Sequence, residues 1–149
     1  MIGVSAWPIV IRVQFIEGHR EDNVEKTKKL LKKAIRRWTY RLGLRWWHVT
    51  FVLTSNKKLI KDVFKDKDVK KGRRIIGRTF ANWMYKTATI YINVPALKGR
   101  TERFLEEVIV HELMHALVNE MREEDVHHEE RVVTSLTEAI FWTADDIGK

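Results

Sequence analysis

The run TERFLEEVIVHELMHAL, residues 101–117, decides how the rest of the chain is read. Thr101 is a good N-cap residue, and Glu102, Glu106 and Glu107 follow in the first two turns, where the helix dipole favours acid. A helix is expected from this cap to about Arg122. Val108, Ile109 and Val110 lead into it, and Leu113, Met114, Ala116 and Leu117 give it a face to bury. His111 and His115 stand four apart, so their imidazoles leave one face a single turn apart. That spacing lets both nitrogens reach one ion at ~2.0–2.1 Å, the distance zinc requires. Glu112 is rotated from them by about 100° and would reach past the metal toward an open coordination position. A carboxylate there can take a proton from water and return one to a leaving amine, while the metal acidifies the water and polarises the carbonyl. An H-E-x-x-H match arises by chance in on the order of 2% of chains of this composition, so the helical context carries the reading. The bland alternative is a buried amphipathic helix with two incidental histidines.

A catalytic zinc usually takes three protein ligands and a water. The chain has no cysteine, so disulfides and thiolate sites are excluded and the third ligand must be His or carboxylate. Val118 and Met121 stand where the extended H-E-x-x-H-x-x-G-x-x-H pattern needs Gly and His. The candidates downstream are Glu129 and Glu130, His127 and His128 just before them, and Glu138 two turns further on. A last helix is expected at about residues 129–145, with Val132, Val133, Leu136, Ala139, Ile140 and Ala144 as its apolar stripe.

Upstream, residues 9–16 alternate Ile9, Ile11, Val13 and Phe15, the pattern of a strand or an extended arm. Residues 21–42 switch to helical spacing through Val24, Leu30, Leu31, Ala34, Ile35 and Trp38, with lysines and arginines on the other faces and Gly43 as the stop. Residues 44–55 are rich in strand formers. Residues 57–74 are dense in Lys and Arg and read as a loop with a helical turn. Residues 77–84 and 87–94 read as two more strands, with Tyr85 and Lys86 near the turn and Pro95 ending the second. No linker or repeat divides the 149 residues. The expectation is one α+β domain over residues 1–149, with a small, mostly antiparallel sheet packed against an N-terminal helix, the histidine helix and a C-terminal glutamate helix.

The segment 44–140 resembles the small phage and prokaryotic proteins with a minimal gluzincin-type metallopeptidase domain. The matching stretches are Leu44-Arg45-Trp46-Trp47-His48-Val49, Thr87-Ala88-Thr89-Ile90-Tyr91-Ile92-Asn93, His111-Glu112-Leu113-Met114-His115 and Glu129-Glu130-Arg131-Val132-Val133-Thr134-Ser135-Leu136. The resemblance implies a zincin-like fold, one Zn2+ ion, a peptide or protein substrate, and Glu112 as general base. It implies a third ligand on the following helix, Glu130 in preference to Glu129, with Thr134 one turn on as a partner of the site. It also implies that strand 87–93 pairs with an extended substrate as a sheet edge; the plain reading of the same residues is a core strand. The SprT-like proteins, linked to DNA–protein crosslink repair, are the second resemblance. They use a third His, for which His127 or His128 would serve, although the Gly-flanked His of that pattern is missing. His48 and Tyr85, an oxyanion-donor candidate, are read mainly as structural, as are Trp46, Trp47 and Trp83.

The composition is 44% hydrophobic and 32% charged, which excludes low-complexity disorder. No signal peptide or membrane span is evident, so a soluble cytoplasmic protein without membrane partners is expected. The formal charge of +8 hides a split. Residues 1–100 hold 24 Lys/Arg against 7 Asp/Glu, and residues 101–149 hold 4 against 13. The basic part, residues 57–74 above all, could attract nucleic acid; the plainer reading is a solvated face met by the acidic part of the same domain. Three functions follow in order: a zinc metallopeptidase, a nucleic-acid-associated zinc protein of SprT-like type, and an inactive zincin-fold binding protein. The intact Glu112 argues against the last.

Overall fold

A computed structural model describes residues 10–17, 24–64, 76–119 and 129–147 of the chain. Among them are four strands, β1 (Val10–Ile16), β2 (His48–Thr54), β3 (Gly77–Asn82) and β4 (Thr87–Asn93). There are four α-helices, α1 (Val24–Arg41), α2 (Lys57–Val63), α3 (Glu102–Leu117) and α4 (Glu129–Ile147). Short 3-10 turns lie at Leu44–Trp46 and Val94–Leu97.

The α+β class agrees with expectation, but the sheet does not. Its strand order is β1-β2-β4-β3, with β1–β2 and β2–β4 parallel and only β3–β4 antiparallel. The mostly antiparallel sheet is therefore corrected to a mixed, mostly parallel one. Parallel neighbours need a crossover of a dozen or more residues, and the 18-residue α1 supplies one between β1 and β2. Only the tight turn at residues 83–86 allows a hairpin. The same order corrects the place of strand 87–93: β4 is interior, and the edge strand beside it is β3.

One face of the sheet forms the core in three rows. Ile11, Val49, Ala88 and Ala81 lie in register, as do Val13, Phe51, Ile90 and Thr79, and then Phe15, Leu53, Ile92 and Gly77. The central members Val49, Phe51, Ile90 and Ile92 have no exposed surface. α1 buries Leu31, Ala34, Ile35 and Trp38, one stripe at three- and four-residue spacing. Gly43, at φ 71°, ends the helix region in the left-handed conformation that glycine adopts without penalty. α3 packs against α1, α4 and β3, which makes it the central helix.

On α4 the expected stripe is rotated. Val133, Thr137 and Phe141 are buried, whereas Leu136 is 41% exposed. Phe141 sets this rotation by stacking on Trp38 at 5.2 Å, and Thr137 can face the core because its hydroxyl donates to the Val133 carbonyl at 2.8 Å.

Among the described residues, two ion pairs link the basic and acidic parts of the chain. Lys33 meets Glu102 at 3.4 Å and Arg37 meets Glu106 at 2.7 Å, both joining α1 to α3. Of residues 57–74, those after Phe64 lie outside the described residues. No described helix is long and apolar enough to cross a membrane.

The core ranks two substitutions. Phe51→Ala removes a ring from the centre of the sheet and is expected to cost about 3–5 kcal/mol. Arg37→Ala breaks a partly solvated pair and is expected to cost about 1 kcal/mol or less. Urea denaturation of both variants checks this; comparable losses would contradict the packing described.

Candidate metal centre

Burial of Leu105, Ile109, Leu113 and Ala116 fixes how α3 is rotated. Thr101 caps the helix by accepting from the Phe104 N–H at 3.2 Å, as its position in the sequence predicted. Successive helical residues point about 100° apart, so His111 and Glu112 face different neighbours. His111 and His115 face α4, and Glu112 faces the edge strand β3.

On the α4 side the Nε2 atoms of His111 and His115 are 3.3 Å apart, with the rings edge to face. Glu130 closes the group: Oε1 is 3.0 Å from His111 Nε2 and Oε2 is 3.1 Å from His115 Nε2. Ligating atoms of the three residues all lie within 4.8 Å of one another, a group that could hold a metal ion. The 3.3 Å between the two imidazole nitrogens suits a tetrahedral zinc, because two ligands each ~2.0–2.1 Å from such an ion stand about 3.3–3.4 Å apart; the Glu130 approaches, at 3.0 and 3.1 Å, are shorter. Two imidazoles and a carboxylate, with no thiolate, are also a donor set that zinc accepts. Glu130 is 72% exposed at its side chain and His115 only 10%, so the group opens to solvent on the Glu130 side.

Glu129 does a different job from its neighbour. Its Oε1 lies 3.0 Å from His115 Nδ1, the ring nitrogen turned away from Glu130, and its side chain is only 12% exposed. A carboxylate in this position makes Nδ1 the N–H nitrogen, orients the ring and leaves the Nε2 lone pair facing the centre. The two adjacent glutamates that the sequence offered as rival ligands are thus divided, one on each side of His115.

Glu112 is 5% exposed. Thr79 on β3 approaches its Oε2 at 2.6 Å and its backbone carbonyl at 3.1 Å. Gly77, two residues earlier on the same face of β3, leaves room for the carboxyl: a Cβ there would lie 2.6 Å from Glu112 Cδ. Burial raises the Glu112 pKa above the usual carboxylate range, against the hydrogen bond from Thr79 and the nearby His115 and His111. For His115, burial pulls the pKa down, but hydrogen bonds to Glu130 and Glu129 outweigh it and the net shift is upward. Hydrogen bonds with His111 and His115 hold the Glu130 carboxyl far below its ordinary value.

Thr134 and Glu138 are exposed on α4, and it is Glu129 that contacts His115 Nδ1. His127 and His128 lie outside the described residues. His48 is exposed at the start of β2, where its N–H donates to the Lys86 carbonyl, and Tyr85 is 73% exposed in the β3–β4 turn. Trp46 is 63% exposed and Trp83 36%, both at that end of the sheet. Sequence reasoning missed Thr79 and Gly77: a hydroxyl and a glycine in a short strand carry no signal of a partner 33 residues away.

A model of the SprT-like family, a zincin-like group related to metallopeptidases, matches residues 50–138. The match therefore falls on the second of the two sequence resemblances and not on the minimal gluzincin type. No curated protein and no solved structure matches the chain.

If the group holds a cation, purified protein should bind one zinc per chain by elemental analysis. Glu129→Gln should weaken that binding about 10–100-fold, the usual cost of losing a carboxylate behind a ligating histidine, and Glu130→Ala should weaken it further. Titration calorimetry distinguishes them; unchanged affinity in both variants would contradict the arrangement.

Proposed function

This chain belongs to the SprT-like family, and from that premise we propose that it is a zinc-dependent metallopeptidase, hydrolysing peptide bonds in a peptide or protein substrate with Glu112 as general base. The observation that carries the reading is the convergence of His111, His115 and Glu130 from two helices, with the Glu112 carboxyl buried beside them. His111 Nε2, His115 Nε2 and the Glu130 carboxylate are the atoms that would hold the ion. The third ligand on this reading is a glutamate, where the SprT-like resemblance implied a histidine, and the 3.0 and 3.1 Å approaches of Glu130 support it. When bound, zinc would supply Lewis acidity to water and to the scissile carbonyl.

The protein's own groups divide the remaining work. Glu129 holds His115 in one tautomer and orientation. Thr79 engages Glu112 Oε2 and so fixes the carboxyl that takes a proton from the attacking water. The water oxygen adds to the carbonyl carbon, the C–N bond breaks, and the proton held by Glu112 passes to the departing nitrogen. β3 pairs only with β4 among the described strands and packs against α3. An extended substrate adding to its free edge would be held through backbone hydrogen bonds beside the centre, the role that the sequence reading gave to β4.

Glu112→Gln is expected to keep stoichiometric zinc and to lose about 10²–10⁴-fold in hydrolysis of an unfolded protein substrate. His111→Ala is expected to lose both metal and activity. A zinc-loaded wild-type chain that cleaves no peptide bond under any condition, or a Glu112→Gln variant that cleaves at the wild-type rate, would overturn the reading.

A further inference from the structure

Glu112 is a buried carboxyl with one hydroxyl donor, and that donor is on a strand and not on either helix that shapes the metal group. We propose that Thr79 is a positioning residue: its hydroxyl holds Glu112 Oε2 and so fixes the rotamer in which the carboxyl accepts and returns a proton. This deepens the peptidase reading and rests on it for the catalytic part.

Three features of the contact argue for positioning over packing alone. At 2.6 Å the Thr79–Glu112 approach lies within the range of a charge-assisted O–H···O bond, shorter than the usual neutral one. The same hydroxyl lies 3.1 Å from the Glu112 backbone carbonyl, so both acceptors within reach of its one hydrogen belong to Glu112. Gly77 supplies the space: any larger residue at that position would meet the Glu112 carboxyl and drive it from its place. Gly77 and Thr79 are i and i+2 on β3, so both address the same side of the strand. The cradle therefore belongs to the edge strand, whose position relative to α3 sets where the base stands.

Two measurements test this, one independent of metal and activity. In chelator-treated protein, the melting temperatures of Thr79→Val, Glu112→Leu and the double variant form a thermodynamic cycle. Thr79→Val strands the buried Glu112 carboxyl, a penalty that disappears once residue 112 is Leu, so the double variant is expected to lose less than the sum of the two. Additive losses would overturn the contact, whether or not the protein is an enzyme. In zinc-loaded protein, Thr79→Val is expected to retain one zinc per chain and its KM while kcat falls on the order of 10–100-fold. Thr79→Ser, which restores the hydroxyl, is expected to recover most of that loss. A Thr79→Val enzyme with wild-type kcat, or a Thr79→Ser enzyme no better than the valine variant, would overturn the positioning role. Absence of hydrolysis by the wild-type chain itself would instead strike at the peptidase reading, and the cycle alone would then decide whether Thr79 holds Glu112.

Discussion

Neighbouring residues on a helix cannot face the same partner, and that constraint organises this molecule. His111 and Glu112 diverge by about 100°, so a centre using both needs a helix covered on two sides. α3 meets the requirement by lying between β3 and α4 and packing on α1 as well. From Ile109 to Ala116 only His111 keeps appreciable exposure. Glu112 and His115 are both buried, yet each has hydrogen-bonding partners, one from the sheet side and one from the helix side. Buried ionisable groups are tolerated only with such partners. The rest of the fold can be seen as what is needed to bring those partners to α3.

Local pattern made the helices and strands legible, together with the histidine pair and its flanking acid. Thr101 as cap, the Leu31–Ala34–Ile35–Trp38 stripe and the alternation of Ile11, Val13 and Phe15 all report on nearest neighbours. What depended on distant packing was not legible. The parallel pairing of β1 with β2 follows from α1 acting as a crossover, which alternation alone does not reveal. The rotation of α4 follows from Phe141 stacking on Trp38, roughly a hundred residues earlier in the chain. Glu129 and Glu130 could be named as a pair, but their separation into a histidine support and a metal-facing carboxylate depends on the helix rotation that Phe141 sets. Thr79 had no local signature at all.

The charge split between the two parts of the chain is partly met within the fold. Lys33 and Arg37 on α1 pair with Glu102 and Glu106 on α3, and the Trp38 indole also donates to Glu106 at 3.4 Å. Each exposed pair contributes little alone. Together they match a basic helix to an acidic one along the contact that seats the central helix.

Glu129 and Glu130 come from one helix and the two histidines from another, with fourteen positions between His115 and Glu129. A cation gripped from both sides would act as a cross-link in a chain that has no cysteine to make one. A covalent staple closing a loop of that length removes about 3 kcal/mol of chain entropy from the unfolded ensemble, and a coordinated ion works in the same sense. Loading the centre would therefore fasten the C-terminal helix to the body of the domain, so that chemistry and mechanical integrity share one knot.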